Sequence, residues 1–476
     1  MILAALGIFI RPPSLLRKVA HEGRSYFAIN PDFVRHFRPE ATPVAPPTPW
    51  VAVDKPEGSR RVVLLGGAAA AGFPMTDYHL GRLVQARWRA RFPGESVEVI
   101  NLSMPGADAR LLRRIAREAM ALEPDMVVLY AGQNTGPAAR DAVPGNADAD
   151  IRAIIETARR HGAKVLVCLS ASGGVSADPG ALESKIAGDA GDGVAVLDAG
   201  RWLRDPGAAA PGDGGFFLDG ELLTFDGRAA VSGLIVDAMA ALWGIAPRDP
   251  GPEAAAAWWK DFPKAQGELR RDVMFTGYDE HDMWSLLGKQ LRRRASVGAP
   301  GLEQRQSEVA ARVRALQRSA ALGWDTTDLV VAYDRAVLQN PVDPLVHFSA
   351  GRLLGARGEG VRAEEAFQRG FALQPDNAEA RLNYAAMQLA RGNTAEARTS
   401  LEALGKFDPR APGLAKMGAA VTAREGDLPG AVAQLEKNLG RNPKDADSWL
   451  MLADLQMLLG NFDAAGESRR RAKACE

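Results

Sequence analysis

Val62-Val63-Leu64-Leu65-Gly66-Gly67-Ala68-Ala69-Ala70-Ala71-Gly72 is a short apolar run entering a turn of small residues. A β-branched run of that length, bounded by glycine, reads as a buried strand. Similar runs follow at 97–102, 125–130, 163–169 and 194–198. Between and after them, helical periodicity marks 77–91, 108–122, 149–161 and 226–243. Apolar strands alternating with amphipathic helices predict a parallel sheet covered by helices on both faces. Ligand sites in such sheets lie beyond the carboxyl ends of the strands. Gly66-Gly67-Ala68 follows the first strand, Ser103 to Gly106 the second, and Gly132 to Asn134 the third. All three segments therefore fall on one edge.

A chain of 476 residues is long enough for two or three domains with their own cores. Lys+Arg and Asp+Glu both number 58, so no basic excess points to nucleic acid or anionic lipid. Cys168 lies in an apolar strand, where a buried structural thiol is expected, and Cys475 is far from it. Neither a disulfide framework nor a zinc site is implied, and the sequence implies no cofactor or metal. Acids in the Gly/Ala/Asp-rich stretch 171–215, among them Asp178, Asp189, Asp192 and Asp213, read as solvated loop residues.

The first ten residues are apolar, about half of what a bilayer span requires. They read either as a short start packed on the domain or as the remnant of a membrane anchor or export signal. Six prolines between Pro39 and Pro56 predict an extended connector ahead of the first strand.

Asn101-Leu102-Ser103-Met104-Pro105-Gly106, Gly132-Gln133-Asn134-Thr135 and Asp219-Gly220-Glu221-Leu222 complete a set of four segments begun by Gly66-Gly67-Ala68. In that order they resemble the blocks of the SGNH (GDSL-type) hydrolases. The resemblance implies a flavodoxin-like, three-layer α/β domain. It also implies a nucleophilic Ser in the first block, an oxyanion Gly in the second, an Asn in the third and Asp-x-x-His in the fourth. Gly106, Asn134 and Asp219 match, but Ala68 stands at the Ser position and Leu222 at the His position. Serine hydrolysis needs a hydroxyl and an imidazole that takes its proton. Ala68 and Leu222 supply neither, which predicts a pseudo-hydrolase whose Gly106 and Asn134 remain as oxyanion or ligand-binding candidates. A relocated pair, Ser103 with His79, is the alternative; Ser170 and Ser172 lie near the same edge.

The C-terminal region repeats. Pro341, Pro375, Pro409 and Pro443 recur every 34 residues, as do Gly358, Gly392, Gly426 and Gly460. Gly351, Ala385, Ala419 and Ala453 keep the same step, and so do Ala363, Ala397, Ala431 and Ala465. Small residues let paired helices approach, Gly breaks the hairpin and Pro ends the second helix. This pattern resembles the tetratricopeptide (TPR) repeat, an all-α solenoid. A weaker unit precedes it near 310–343, with Tyr333 and Ala336 in place. A solenoid's concave face binds partners. Arg381, Asn383, Gln388, Lys416 and Asp447 are the polar candidates for it.

The organisation expected is an N-terminal segment and connector at 1–60 and an SGNH-like domain at 61–245. A helical connector at 246–309 and TPR repeats at 310–476 complete it. Trp258, Trp259, Phe262, Phe275, Tyr278 and Trp284 in the helical connector read as core or as an aromatic ligand cage. Glu22-Gly23-Arg24-Ser25-Tyr26, Asn30-Pro31, Glu123-Pro124-Asp125 and Leu223-Thr224-Phe225-Asp226-Gly227 extend the resemblance to bacterial proteins joining an SGNH domain to TPR repeats. Those proteins' first block usually reads Gly-Glu-Ser, and their last reads Asp-x-x-His. The function expected is a protein-interaction scaffold acting through the TPR groove. The alternatives are an ester hydrolase with relocated catalytic residues and a module that binds an acylated glycan in the vacated cleft. The resemblance favours the cell envelope or periplasmic face over the cytoplasm.

Overall fold

A computed structural model describes residues 12–37, 45–131, 147–169, 193–203, 216–217, 222–246, 251–295, 302–320, 329–339, 341–411 and 413–475. The chain forms two compact units, Met1–Glu280 with Asp325–Ala336, and His281–Trp324 with Val337–Glu476. Among the described residues, no helix is long and apolar enough to cross a membrane.

The first unit opens with an antiparallel sheet where the sequence suggested only a segment and a connector. Strands β1 (Leu16–His21) and β2 (Arg24–Ile29) form a hairpin, and β3 (Val51–Ala52) pairs with β2. Glu22 and Gly23 both have positive φ, 47° and 75°, as a two-residue hairpin turn matching strand twist requires. The connector is thus not free: after Pro49 it adds a strand. Helix α1 (Pro31–Phe37) buries Phe33 and Val34 in the main core.

Five parallel strands follow in the order β5-β4-β6-β7-β8. They are β4 (Arg60–Gly66), β5 (Val97–Asn101), β6 (Met126–Ala131), β7 (Lys164–Leu169) and β8 (Val194–Asp198). All five stand where the apolar runs place them, and the order is the doubly wound, flavodoxin-like one. Helices α2 (Leu80–Arg91), α3 (Ala109–Ala119), α4 (Ala147–Arg160), α5 (Ala199–Leu203) and α6 (Phe225–Leu242) connect and follow them. Val63, Leu65, Val127, Leu129, Val165 and Val167 share one core with Leu112 and Ile115 of α3 and Ile154 of α4. Strand alternation sends the intervening residues to the opposite face. There α6 packs against α2 and the strands β7 and β8.

Helix α7 (Gly251–Asp272) and the turn after it pack on this unit. Phe275 stacks on Phe225 at 4.0 Å and meets the edge of Tyr78 at 4.9 Å. Tyr78 Oη donates to Met274 C=O at 3.1 Å, and Arg270 pairs with Asp226 and Glu280. Phe275 is therefore core, as is the buried Trp284. The side chains of Trp258, Trp259, Phe262 and Tyr278 lie outside the described residues.

Helices α8 (Gly277–Ala295), α9 (Leu302–Ala320) and α10 (Leu329–Gln339) precede four helix hairpins. The hairpins pair α11 (Pro344–Ala356) with α12 (Gly360–Leu373), and α13 (Ala378–Ala390) with α14 (Thr394–Phe407). Next come α15 (Leu414–Arg424) with α16 (Leu428–Arg441), and α17 (Ala446–Leu458) with α18 (Phe462–Cys475). Gly358, Gly392, Gly426 and Gly460 all take positive φ, between 80° and 95°, at the hairpin turns. Ala363, Ala397, Ala431 and Ala465 are buried, and a Cβ on Gly351 would sit 2.7 Å from Phe367. Asp343, Asn377 and Asp445 cap α11, α13 and α17 with their side chains. The same step in the third unit falls on Ala411, which has no cap to offer, and α15 starts after Gly413 instead.

Candidate functional site

Beyond β4 the chain turns back on itself: Phe73 N–H donates to Ala68 C=O at 2.9 Å and Leu80 N–H to Ala70 C=O at 3.1 Å. Ala69, Ala70 and Ala71 are buried, while Ala68 is half-buried at the turn. Met104 N–H reaches Gly66 C=O at 3.0 Å, tying the segment after β5 to the end of β4. Gly106 has φ 74°, and Ala107 N–H closes its turn on Met104 C=O at 3.0 Å. Ala68 and Gly106 thus follow the carboxyl ends of adjacent strands.

Asn101 organises this edge, a role that sequence reading missed. Its Nδ2 donates to Ala70 C=O at 2.9 Å and its Oδ1 accepts Ser103 N–H at 3.0 Å. Those two partners fix which way the amide points, so Nδ2 also faces His79 Nδ1 at 3.0 Å as a donor. Arg82 N–H donates to the same nitrogen at 3.1 Å. With two donors on Nδ1, the ring proton must sit on Nε2. Burial, reinforced by the charges of Arg82 and Arg228, pushes the His79 pKa down to about 3. His79 is the neutral N-cap of α2 and has no Nδ1 lone pair left for a nucleophile. The Ser103 hydroxyl is buried and finds no hydrogen-bond partner among the described residues. The structure does not join it to His79.

A pH dependence follows from this cap. His79 titrates near its ordinary value when unfolded and near 3 when folded, so the unfolded state binds more protons between those values. Stability is full above the unfolded pKa and falls as pH drops. Going from pH 7 to pH 5 should cost about 2 kcal/mol from this residue alone. His79→Asn, which keeps a capping oxygen, should flatten that slope. Denaturant melts at both pH values are the check, and parallel slopes for parent and variant would remove His79 as the cause.

In the fourth segment Leu222 is buried, Leu223 bridges Phe217, and the Thr224 hydroxyl caps α6 by accepting Gly227 N–H at 3.0 Å. Phe216 C=O lies so close to Gly227 that no Cβ fits. Fully buried Arg228 donates to Gly72 C=O, joining the start of α6 to the turn after β4. The first and fourth segments are brought together by an arginine whose importance no local pattern signals. Asn134, Asp219, Ser170, Ser172 and the four loop aspartates named above lie outside the described residues.

In the repeats, two expected groove residues have partners within the fold. Gln388 is fully buried: its Nε2 donates to Tyr384 Oη at 2.8 Å and its Oε1 accepts from Asn393 at 2.9 Å. Arg381 Nε donates to Pro375 C=O at 3.0 Å, and its guanidinium lies 3.9 Å from the Phe371 ring centre. The same bond recurs at the 34-residue step. His347 Nε2 faces Pro341 C=O at 3.3 Å, and Trp449 Nε1 donates to Pro443 C=O at 2.8 Å. Arg381 belongs to this column, which secures the first helix of the first, second and fourth units to the proline before it; the third unit has Ala415 there. Asn383 is half-buried, and Lys416 pairs with Asp447 at 3.1 Å across consecutive units, both partly exposed.

Tetratricopeptide-repeat family models match residues 356–420 and 422–475. The C-terminal hairpins are therefore TPR repeats, a class that serves protein interaction. No curated protein matches the sequence. Among solved structures, MamA 41-end from Desulfovibrio magneticus RS-1 is 17% identical, with a TM-score of 0.29 over 33% of this chain and 89% of that one. TesA is 18% identical, with a TM-score of 0.31 over 38% of this chain and 99% of the other. The acetyl xylan esterase AlAXEase is 19% identical, with a TM-score of 0.31 over 37% and 97%. Likenesses at these scores bear on nothing further.

Proposed function

We propose that the protein is an interaction scaffold: a non-catalytic SGNH-like α/β domain fused to TPR repeats that hold a protein partner. The observation that carries the non-catalytic half is the state of His79. A methyl group stands at position 68, and the histidine nearest in sequence is neutral, buried and committed as a helix cap. The scaffold half rests on the repeats, with Asn383, Lys416 and Asp447 as groove residues after Arg381 and Gln388 are set aside.

Full-length protein immobilised as bait in lysate of its own organism tests the scaffold. Lys416→Glu replaces a partly exposed ion pair with two carboxylates and so reverses the charge at this point of the groove. Capture of the partner is expected to fall about tenfold with Lys416→Glu, and to return with Lys416→Glu combined with Asp447→Lys. Partner capture indifferent to both variants but lost on crowding the sheet edge with Ala68→Trp would move the binding function to the α/β domain.

A further inference from the structure

Four columns of the repeat hand a residue from each hairpin to the next. In the column Phe348, Leu382, Lys416, Leu450, Phe348 shares a cluster with Ala380 and Tyr384 of the second unit. Leu382 Cδ1 is 3.4 Å from where a Cβ on Gly413 would lie, and Lys416 bridges to Asp447. In the column Gly355, Leu389, Ala423, Met457, Gly355 lies against Met387 of the next unit, and Leu389 packs with Leu414 and Met417. On the second helices, Phe367 and Leu435 are followed at the same step by Arg469, and Phe371 and Leu439 by Lys473. Phe367 and Phe371 both meet the Tyr384 ring, at 5.5 and 5.7 Å, and Leu435 and Leu439 cluster with Leu452 and Leu455.

In the fourth unit nothing among the described residues receives these columns. Leu450 is 44% exposed and Met457 40%, and Leu458 and Phe462 beside them are more exposed still. The second-helix positions, apolar in most earlier units, have become basic. We propose that this face of α17 and α18 seats an amphipathic helix of a protein partner. The helix would present apolar side chains to Leu450 and Met457 and a carboxylate to Lys473, Arg469 being paired with Asp454. The repeat supplies the template: α15 covers the same columns two steps earlier with Leu414, Met417 and Val421, spaced i, i+3, i+7 on one helical face.

Charge selects a partner over a second copy of this chain. Asp447 is already paired with Lys416 and Asp454 with Arg469, so the α17 face of another copy has no unpaired carboxylate for Lys473. An acid-flanked helix does. This assignment rests on the scaffold reading and names the chemistry of one partner segment.

The probe is a fluorescein-labelled synthetic helix with Leu, Met and Val at the α15 spacing and glutamates flanking them, titrated against the full-length protein. A twin carries lysines in place of the glutamates. Saturable anisotropy is expected for the acidic peptide, with binding about tenfold weaker for the basic twin and for the Leu450→Glu, Met457→Glu and Lys473→Glu proteins. The three positions are exposed, so unchanged thermal melts should accompany the losses. Equal binding of both peptides, or undiminished binding by Leu450→Glu protein, would overturn the assignment. So would a parent dimer in sedimentation that Leu450→Glu dissolves, since a second copy would then own the face. Asn383→Ala, in the groove of the second unit, should leave peptide binding intact, so that failure of the groove and failure of this face are told apart.

Discussion

Purified protein is expected to leave short-chain acyl p-nitrophenyl esters at the buffer rate and to resist a fluorophosphonate serine probe. Loss of the nucleophile or of its base alone costs a serine hydrolase roughly a million-fold in turnover. On the proposed reading Ala68 and Leu222 stand at both positions. Ser103 is buried without a partner, and the His79 Nδ1 already takes two N–H donors. Ala68→Ser combined with Leu222→His is expected to recover measurable turnover, and each single change none, because nucleophile and base act as a unit. Arg228 still ties α6 to the turn after β4, so the two restored groups would be carried on connected elements. Probe labelling of the parent protein would defeat this expectation, because it would mean a working nucleophile at a position other than 68. A folded double variant with no activity would show that the two positions no longer share hydrogen-bond reach.

How much of this was legible in sequence differs by element, for physical reasons. Strands β4 and β6 are buried on both faces, so Val62 to Leu65 and Met126 to Tyr130 are unbroken apolar runs that cannot be missed. The N-terminal strands are half-solvated. In Leu16-Arg17-Lys18-Val19-Ala20-His21 the exposed Arg17 and Lys18 carry charge side by side, and the signal sinks into the background. The one available cue was Glu22-Gly23 between two such runs, a hairpin turn in hindsight. The repeat period gave the hairpins, because the small residues that permit close packing must recur. It did not separate groove from scaffold: Arg381 and Gln388 are polar, yet one secures a proline carbonyl and the other is buried beneath Tyr384. Polar residues with fully internal partners look the same in sequence as those waiting for a ligand. Asn101 and Arg228 escaped notice for the same reason.

Arg61 is the strongest instance, and replacing it with Met should cost about 3 kcal/mol or more, the range for stripping one partner from a buried charge pair. Nothing in Arg60-Arg61 distinguishes the two residues. Alternation along β4 turns Arg60 toward Glu95 and half-exposure, and carries Arg61 inside with no accessible surface. There Arg61 Nε donates to Glu98 at 2.7 Å, Nη1 to Leu122 C=O at 3.1 Å and Nη2 to Ala52 C=O at 2.6 Å. Its backbone N–H donates to Asp125 at 2.6 Å. One guanidinium thus joins the antiparallel sheet through β3, the parallel sheet through β5, and the turn before β6. Methionine fills the space but leaves two carbonyls and a carboxylate to find new donors. Glu98 is a third exposed, so water recovers part of its loss, which keeps the expected cost at the lower end of the range. Lysine should rescue less than half, because a single ammonium cannot reach three acceptors spread around a planar fork. Urea melts of the Met and Lys variants are the measurement. A loss below about 1 kcal/mol for Arg61→Met would mean that the two sheets hold together by apolar contact alone.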